Sequence, residues 1–270
     1  MSGYHYENWE QWIMDEDGHR GSWVSSPPVN RTSPAVVLVT GGSGVIGGAV
    51  CRRFGSAGCA VAVHYCQRVE RAELVARDIR DRGAAITVQA DLREAVSVSH
   101  MIETVLDRFG RLDVLVCAAG RSISQLVLRT SLEVWHDLLG LNLTGTFYTL
   151  RAVTPYFQMQ RNGAAILIGS FSGQHGRAGQ AAYATSKAGL LGLMRATAKE
   201  WGPYRARINM VFPGWQRSSL TATFMPDESE LDDHVLRRTP ALHEVVDLVY
   251  ALAWMKDVSG QVWNFDSRIG

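Results

Sequence analysis

Cysteine is scarce in this chain of 270 residues, with four in all and no Cys-x-x-Cys pair among them. Cys51, Cys59, Cys66 and Cys117 fall inside apolar segments, which argues against a zinc site or a disulfide framework and predicts buried free thiols in a reducing cytoplasm. Neither sign of charge is in excess: the net charge is +1, and the many arginines are scattered. A nucleic acid or another polyanionic surface is therefore not expected as the main partner. No apolar run reaches the roughly 18 residues that cross a bilayer, and the first 30 residues or so lack the apolar core of a signal peptide. No membrane partner is expected, and the Asn-x-Thr triplets at Asn30 and Asn142 read as accidental. What the chain does have is apolar residues, 46% of the total, enough for the core of one large α/β domain.

Residues 1–34 carry Tyr4, Tyr6, Trp9, Trp12 and Trp23 ahead of the breaker-rich run SSPPVNRTSP. The Trp9, Trp12, Ile13 spacing suits one short amphipathic helix. The segment reads as a partly ordered arm lying on its own domain or a sister subunit, or else as a lid or docking element. Residues 35–270 then form the regular domain. AVVLVT is an apolar run of strand length, followed by the Gly-rich turn TGGSGVIGG and a helical pattern. Gly41, Gly44 and Gly47 let the turn tighten, let backbone N–H groups approach a pyrophosphate, and let the helix pack on the strand.

A second strand, AVAVHY, ends in Tyr65, Cys66, Gln67 and Arg68, where an NAD enzyme would carry a carboxylate for the adenosine ribose. No such carboxylate is present, and Arg68 either pairs with a 2′-phosphate or is a solvated helix-start arginine. NADP(H) is favoured over NAD(H). A helix over 69–82, a strand AAITVQADL and a helix over 96–109 follow. Asp91 at the end of that strand meets an adenine amino group or caps the next helix. LDVLVCAAG is a further strand, with small residues Ala118, Ala119 and Gly120 at its tip to admit a cofactor. The long helical region from Trp135 to Tyr148 contains Asn142, either a satisfied core amide or a local bend holding a water that connects to Lys187.

Chemistry concentrates between Ser170 and Lys187. Ser170 ends the strand AAILIGS, and Tyr183 and Lys187 lie one helical turn apart on one face. A cation so placed is expected to lower the tyrosine pKa from its usual value near 10, with Ser170 holding the other lone pair of a substrate oxygen. RINMVFPG is another strand, closing on Pro213 and Gly214. The segment from Trp215 to Arg238 reads as mobile and substrate-side, 242–255 as an amphipathic helix and GQVWNFD as a last strand. Strands alternating with helices predict a doubly wound parallel sheet, and no metal site is expected.

Taken together, TGGSGVIG, Asp91, CAAG at 117–120, Asn142, Ser170, YATSK at 183–187 and PG at 213–214 identify a resemblance over roughly residues 36–266. The chain resembles the short-chain dehydrogenases/reductases. Its wording in VAVHY, LLGLNLTGTFYTLRAV, GQAAYATSKAGLLG and RINMVFPG is nearest the 3-oxoacyl-acyl-carrier-protein reductase group. The resemblance implies an α/β fold, a single-domain Rossmann-type sheet of about seven strands flanked by helices. It implies Tyr183 as general acid, Lys187 as its electrostatic partner and ribose ligand, Ser170 as carbonyl-orienting group and Asn142 as anchor of a relay water. Gly41, Ser43, Gly44, Ile46, Gly47, Asp91, Leu92, Ala118, Ala119, Gly120, Pro213 and Gly214 would line the cofactor, with Tyr183, Lys187 and Arg68.

The implied activity is NADPH-dependent reduction of a 3-oxoacyl thioester on a carrier protein or CoA, by a homo-oligomer, tetramer or dimer. Arg161, Lys199, Arg205 and Arg207 would form a basic docking face, or are solvated helix-end cations. The alternatives are an NAD(P)-dependent dehydrogenase of a small alcohol, sugar or polycyclic substrate, and a non-catalytic binding or assembly subunit. Departures from the family pattern are also present. Val45 stands at the middle glycine of the turn, Cys117 begins what is usually Asn-Asn-Ala-Gly, and Ser218 is the nearest match to the Thr after Pro-Gly. Asp266, Ser267 and Arg268 replace a terminal Asp-Gly-Gly.

Overall fold

The structure is a computed structural model in which residues 34–81, 83–217 and 231–268 are described. The aromatic extension up to residue 33, Ser218 and much of the expected substrate-side segment thus lie outside the described residues. Seven strands are formed among the described residues: β1 (Val36–Thr40), β2 (Ala60–Tyr65), β3 (Ala85–Gln89), β4 (Val114–Cys117), β5 (Gly163–Ile168), β6 (Ala206–Phe212) and β7 (Val262–Asn264). All pair in parallel, in the order β3-β2-β1-β4-β5-β6-β7. β1, β4 and β5 are buried along their whole length, which is why they read as unbroken apolar runs rather than alternating ones.

Helices cover both faces of the sheet. On one side α1 (Val45–Ser56), α2 (Val69–Arg80) and α8 (Leu242–Trp254) bring Val50, Phe54, Val75, Ile79, Val245 and Val249 against Val37, Val39, Val61, Val63, Val114 and Val116. By strand alternation Leu38 and Leu115, a cross-strand pair, face the other side. That side is covered by α3 (Ala95–Phe109), α5 (Gly145–Gln160) and α7 (Ala181–Trp201), whose Ile102, Val105, Val153, Phe157, Leu190 and Met194 are buried.

The long helix expected through Asn142 is two helices, α4 (Leu132–Leu139) and α5, joined by a wider π-type turn at Gly140–Thr144. One short helix, α6 (Ser172–His175), lies between β5 and α7.

The connections reverse direction between β1 and β4. In a doubly wound sheet the crevice outside the carboxyl ends of the strands at that switch point is where ligands bind. Here it is a cleft of about 430 Å³. Every strand contributes to its wall: Gly41 after β1, Tyr65 of β2, Asp91 after β3, Ala118 after β4, Ser170 after β5, Pro213 after β6 and Asp266 after β7.

Candidate active site

The glycine turn forms the floor of the cleft at the switch point. Gly41 has φ +68°, and a Cβ there would stand 2.7 Å from the backbone of Ala119. Gly47 has no room either, because its Cβ would lie 2.3 Å from the Gly41 carbonyl oxygen. Gly44 precedes α1 in an extended conformation and offers no side-chain cap, so the first amides of the helix stay available to an anion. Val45, where the reductase pattern has a glycine, is the first residue of α1 and needs no unusual backbone angle. The departure leaves the turn intact and places an isopropyl group in the cleft wall.

His64, which the sequence reading passed over, holds this turn from below. It is 3% exposed; its Nδ1 accepts from the Gly41 amide at 2.9 Å and its Nε2 meets the Ala90 carbonyl at 3.1 Å. The two contacts require a neutral ring protonated on Nε2. Burial pushes its pKa down to about 4. The unfolded chain, with a histidine near 6.5, takes up a proton at a higher pH than the native state does. Stability from this ring is therefore complete above pH 6.5 and is lost as pH falls toward 4, by roughly 3 kcal/mol. Urea midpoints measured from pH 7 to pH 4 should show this slope, and His64→Asn should flatten it.

At the far end of the cleft Arg68 and Arg71 are exposed, with no ion pair to either among the described residues. Asp91 is engaged locally. Its carboxylate accepts from the Arg93 amide and both sides of the Arg93 guanidinium, at 2.6–3.0 Å. Glu94, not Asp91, precedes α3 as its N-terminal flank, so the helix-cap alternative does not hold. Arg93 also pairs with Asp137 of α4, which in turn pairs with Arg121. This network strapping the cleft rim was invisible in the sequence because Arg93 after β3 and Arg121 after β4 stand 44 and 16 residues from Asp137 in α4.

Ala118, Ala119 and Gly120 follow β4. Thr40 steadies them in place of the family's first asparagine: its carbonyl accepts from Ala118 at 3.2 Å and its hydroxyl from Ala119 at 3.4 Å. Asn142 lies behind Gly120 and is fully buried. Its Oδ1 accepts from the Arg121 amide, and its Nδ2 donates to the Arg121 carbonyl and to Ser186 Oγ, each at 2.9 Å. Ser186 donates onward to the Tyr183 carbonyl at 2.7 Å. Asn142 is thus a satisfied core amide at a local break in the helix, tied through Ser186 to the first turn of α7.

Ser170 Oγ accepts from the Ser172 amide at 3.2 Å, which leaves its own proton for a second partner. It shares a hydrogen bond with Tyr183. Lys187 is 6% exposed; its Nζ donates to the Ile168 carbonyl at 2.8 Å and stands 5.9 Å from the centre of the Tyr183 ring. The expected depression of the Tyr183 pKa is not found. Stripping water from the phenol raises the pKa above its ordinary value and outweighs the Ser170 hydrogen bond, while burial lowers Lys187 to about 8. The spacing put a cation near the ring but carried no information about desolvation.

Apart from Asn142, every residue read from the sequence as catalytic or cofactor-lining is in this cleft wall. The reading missed His64, Arg71, Arg93, Arg121, Asp137, Phe171, Asp266 and Arg268, which also line it. Of the expected docking face, Arg207 belongs elsewhere. Its guanidinium is half-buried and caps the end of α8 through the Leu252, Ala253 and Met255 carbonyls.

The fit to a dinucleotide rests on the turn, where Gly41 and Gly47 leave no space for a Cβ and uncapped helix amides face the cleft. A tyrosine and a buried lysine one turn apart beside that cradle define an oxidoreductase built around a nicotinamide cofactor. The family model for short chain dehydrogenases matches residues 35–229, and the chain belongs to that family. It is 37% identical over 235 residues to the 3-oxoacyl-acyl-carrier-protein reductase of Synechocystis sp., covering 86% of this chain and 95% of that one. With the corresponding FabG reductase of Staphylococcus aureus it shares 36% identity over 204 residues, 75% of this chain and 82% of the relative. A solved dehydrogenase/reductase from Sinorhizobium meliloti 1021 superposes with TM-score 0.81 at 28% identity, covering 87% of this chain and 95% of that chain. NAD+-bound xylitol dehydrogenase, at 24% identity and TM-score 0.81 over 88% of this chain and all of that one, shares the fold. The protein is an NAD(P)-dependent oxidoreductase acting on CH–OH and C=O groups.

Proposed function

We propose that the protein is an NADPH-dependent carbonyl reductase that converts a 3-oxoacyl thioester to the 3-hydroxyacyl form. The observation that carries this reading is the convergence of Ser170, Tyr183 and Lys187 in one cleft with the glycine turn. A bound nicotinamide supplies the hydride. The Ser170 hydroxyl donates to the substrate carbonyl oxygen and orients it, and Tyr183 Oη delivers the proton that the oxygen needs. A phenol kept protonated by burial is suited to that direction of proton transfer. Lys187, held by the Ile168 carbonyl, supplies positive charge beside the phenol, and Asn142 fixes the turn of α7 from which Tyr183 projects.

The thioester is favoured because the relatives at 36–37% identity carry reductase names of that type. Arg161, Lys199 and Arg205 remain exposed as a face for an acidic carrier protein. We place the activity in the cytoplasm, where the four free thiols would stay reduced, and in a homo-oligomer. Residues 1–34 are taken as an extension of the catalytic domain at 35–270.

NADPH is favoured over NADH by the exposed Arg68 and Arg71 where a ribose-binding carboxylate would otherwise stand. Replacing both with glutamine should raise the KM for NADPH about tenfold or more and leave that for NADH within about twofold. The primary experiment is turnover of a short 3-oxoacyl-CoA by purified protein, followed through the absorbance of NADPH or NADH. Absence of cofactor binding would favour a non-catalytic subunit, and activity confined to NADH would overturn the use made of Arg68.

A further inference from the structure

The C-terminal residues do something unexpected: they return to the cleft. After β7 the chain runs antiparallel beside 234–235, through a bridge between His234 and Arg268 and a 3.1 Å hydrogen bond from the Val235 amide to the Ser267 carbonyl. Asp266, whose side chain is 1% exposed, binds the Arg268 guanidinium through both carboxylate oxygens, one of them 2.7 Å from Nε. His234 is buried against the same carboxylate, its Nδ1 3.8 Å from Asp266 Oδ1 and 3.3 Å from Ser267 Oγ. A buried acid therefore fixes the position of a basic side chain that is still 21% exposed and lines the cleft.

Two aromatic rings complete the mounting. The Arg268 guanidinium carbon lies 4.2 Å over the Phe171 ring and 5.9 Å from the centre of Trp215. The other neighbours of these rings are also supplied by the protein, His175 stacking on Phe171 at 4.2 Å and Arg177 standing 5.0 Å over Trp215. With those ring contacts already made, the arrangement serves to hold Arg268 rigid rather than to stack a planar ligand. Of its five N–H donors, those on Nε and one on Nη2 face Asp266. Nη1 has no hydrogen-bond partner among the described residues, so the end-on edge of the fork stays open to an acceptor.

Sheet order places this edge in the substrate half. Phe171 follows β5, Trp215 follows β6 and Asp266 follows β7, whereas the glycine turn and Arg68 follow β1 and β2 on the opposite side of the switch point. Among the described residues lining this end of the cleft, the charged groups are Arg268 and Lys187, two cations beside the one buried carboxylate of Asp266. A planar, pre-oriented guanidinium fork is matched to a carboxylate.

We propose that Arg268 is a specificity-determining residue that binds a carboxylate carried by the carbonyl substrate, so that the ketone offered to Tyr183 has an acidic end. This rests on the carbonyl-reductase reading above. The carboxylate could terminate the acyl chain of a thioester or belong to a free oxo acid, and the two sources are separable. The test compares kcat/KM for 3-oxohexanoyl-CoA, 3-oxohexanedioyl-CoA of equal chain length, and 4-oxopentanoate. Wild type should prefer one of the two carboxylate-bearing ketones over the methyl-ended thioester by about tenfold or more, and which one is preferred identifies the source.

Arg268→Gln should cut that preference at least tenfold, and Arg268→Lys, which keeps the charge beside Asp266, should restore part of it. Circular dichroism of each variant checks that it folds. No preference in wild type, or a preference that Arg268→Gln leaves unchanged, overturns the proposal. If wild type reduces none of the three ketones, the reductase reading fails separately. Thermal stabilisation by glutarate then decides the carboxylate site: loss of the shift in Arg268→Gln supports it, and an equal shift or none in wild type overturns it.

Discussion

Tyr183→Phe should lower kcat for carbonyl reduction by about a thousandfold while leaving the dissociation constant for NADPH within about twofold. The substitution removes one oxygen from a ring that is otherwise held by its surroundings, and the Ser186 contact to the Tyr183 backbone carbonyl persists. Loss confined to kcat is the signature of a group that acts at the reacting oxygen rather than in binding. The pH profile gives an independent check. Burial raises the phenol above its ordinary range and brings Lys187 down to about 8, so the lysine loses its charge first as pH rises. Reduction by the wild type should be level below pH 8 and decline above it. Stopped-flow single turnover and fluorescence titration separate the two constants, and a wild-type rate in the phenylalanine variant would remove Tyr183 from the mechanism.

The sheet was legible because fully buried parallel strands leave continuous apolar runs, as in β1, β4 and β5. The glycine turn and the Tyr183–Lys187 pair were legible for a related reason: both are local, and their residue spacing lies within two helical turns. What the sequence could not carry is long-range. Asp266 and Arg268 reach the cleft because β7 is an edge strand whose end lies beside those of β5 and β6. Nothing in their own neighbourhood marks that. Arg207 reads as one more surface cation until the end of α8 is seen to present three carbonyls to it.

Asn142 illustrates the middle case. The apolar pattern around it runs on through both helices, so periodicity predicts one continuous helix. The helix instead widens to a π-type turn at Gly140–Thr144, where the Asn142 side-chain amide is used twice by the Arg121 backbone, a tertiary contact that periodicity does not encode. The same limit governs titration. Spacing placed Lys187 near Tyr183, but the direction of the Tyr183 shift depends on how much water the fold removes from the phenol.

Gly47→Ala should weaken NADPH binding by about a hundredfold or more and destabilise the fold by about 1–3 kcal/mol, whereas Gly44→Ala should cost little in either. Both glycines belong to the same turn pattern, and the sequence treats them alike. Their surroundings differ. A Cβ on Gly47 would stand 2.3 Å from the Gly41 carbonyl oxygen and 2.8 Å from its carbon, all backbone that cannot rotate aside. Relief requires α1 to move away from the turn, and that motion also pulls the Gly41 amide off His64. At Gly44 the backbone is extended at φ −86°, and the one contact a Cβ would make is 3.2 Å, which a shift of a few tenths of an ångström relieves. Fluorescence titration with NADPH and urea denaturation of the two variants measure the difference. Equal loss in both would mean that the turn responds to added volume anywhere along it, and that the close approach of Gly47 to Gly41 is not what shapes the cradle.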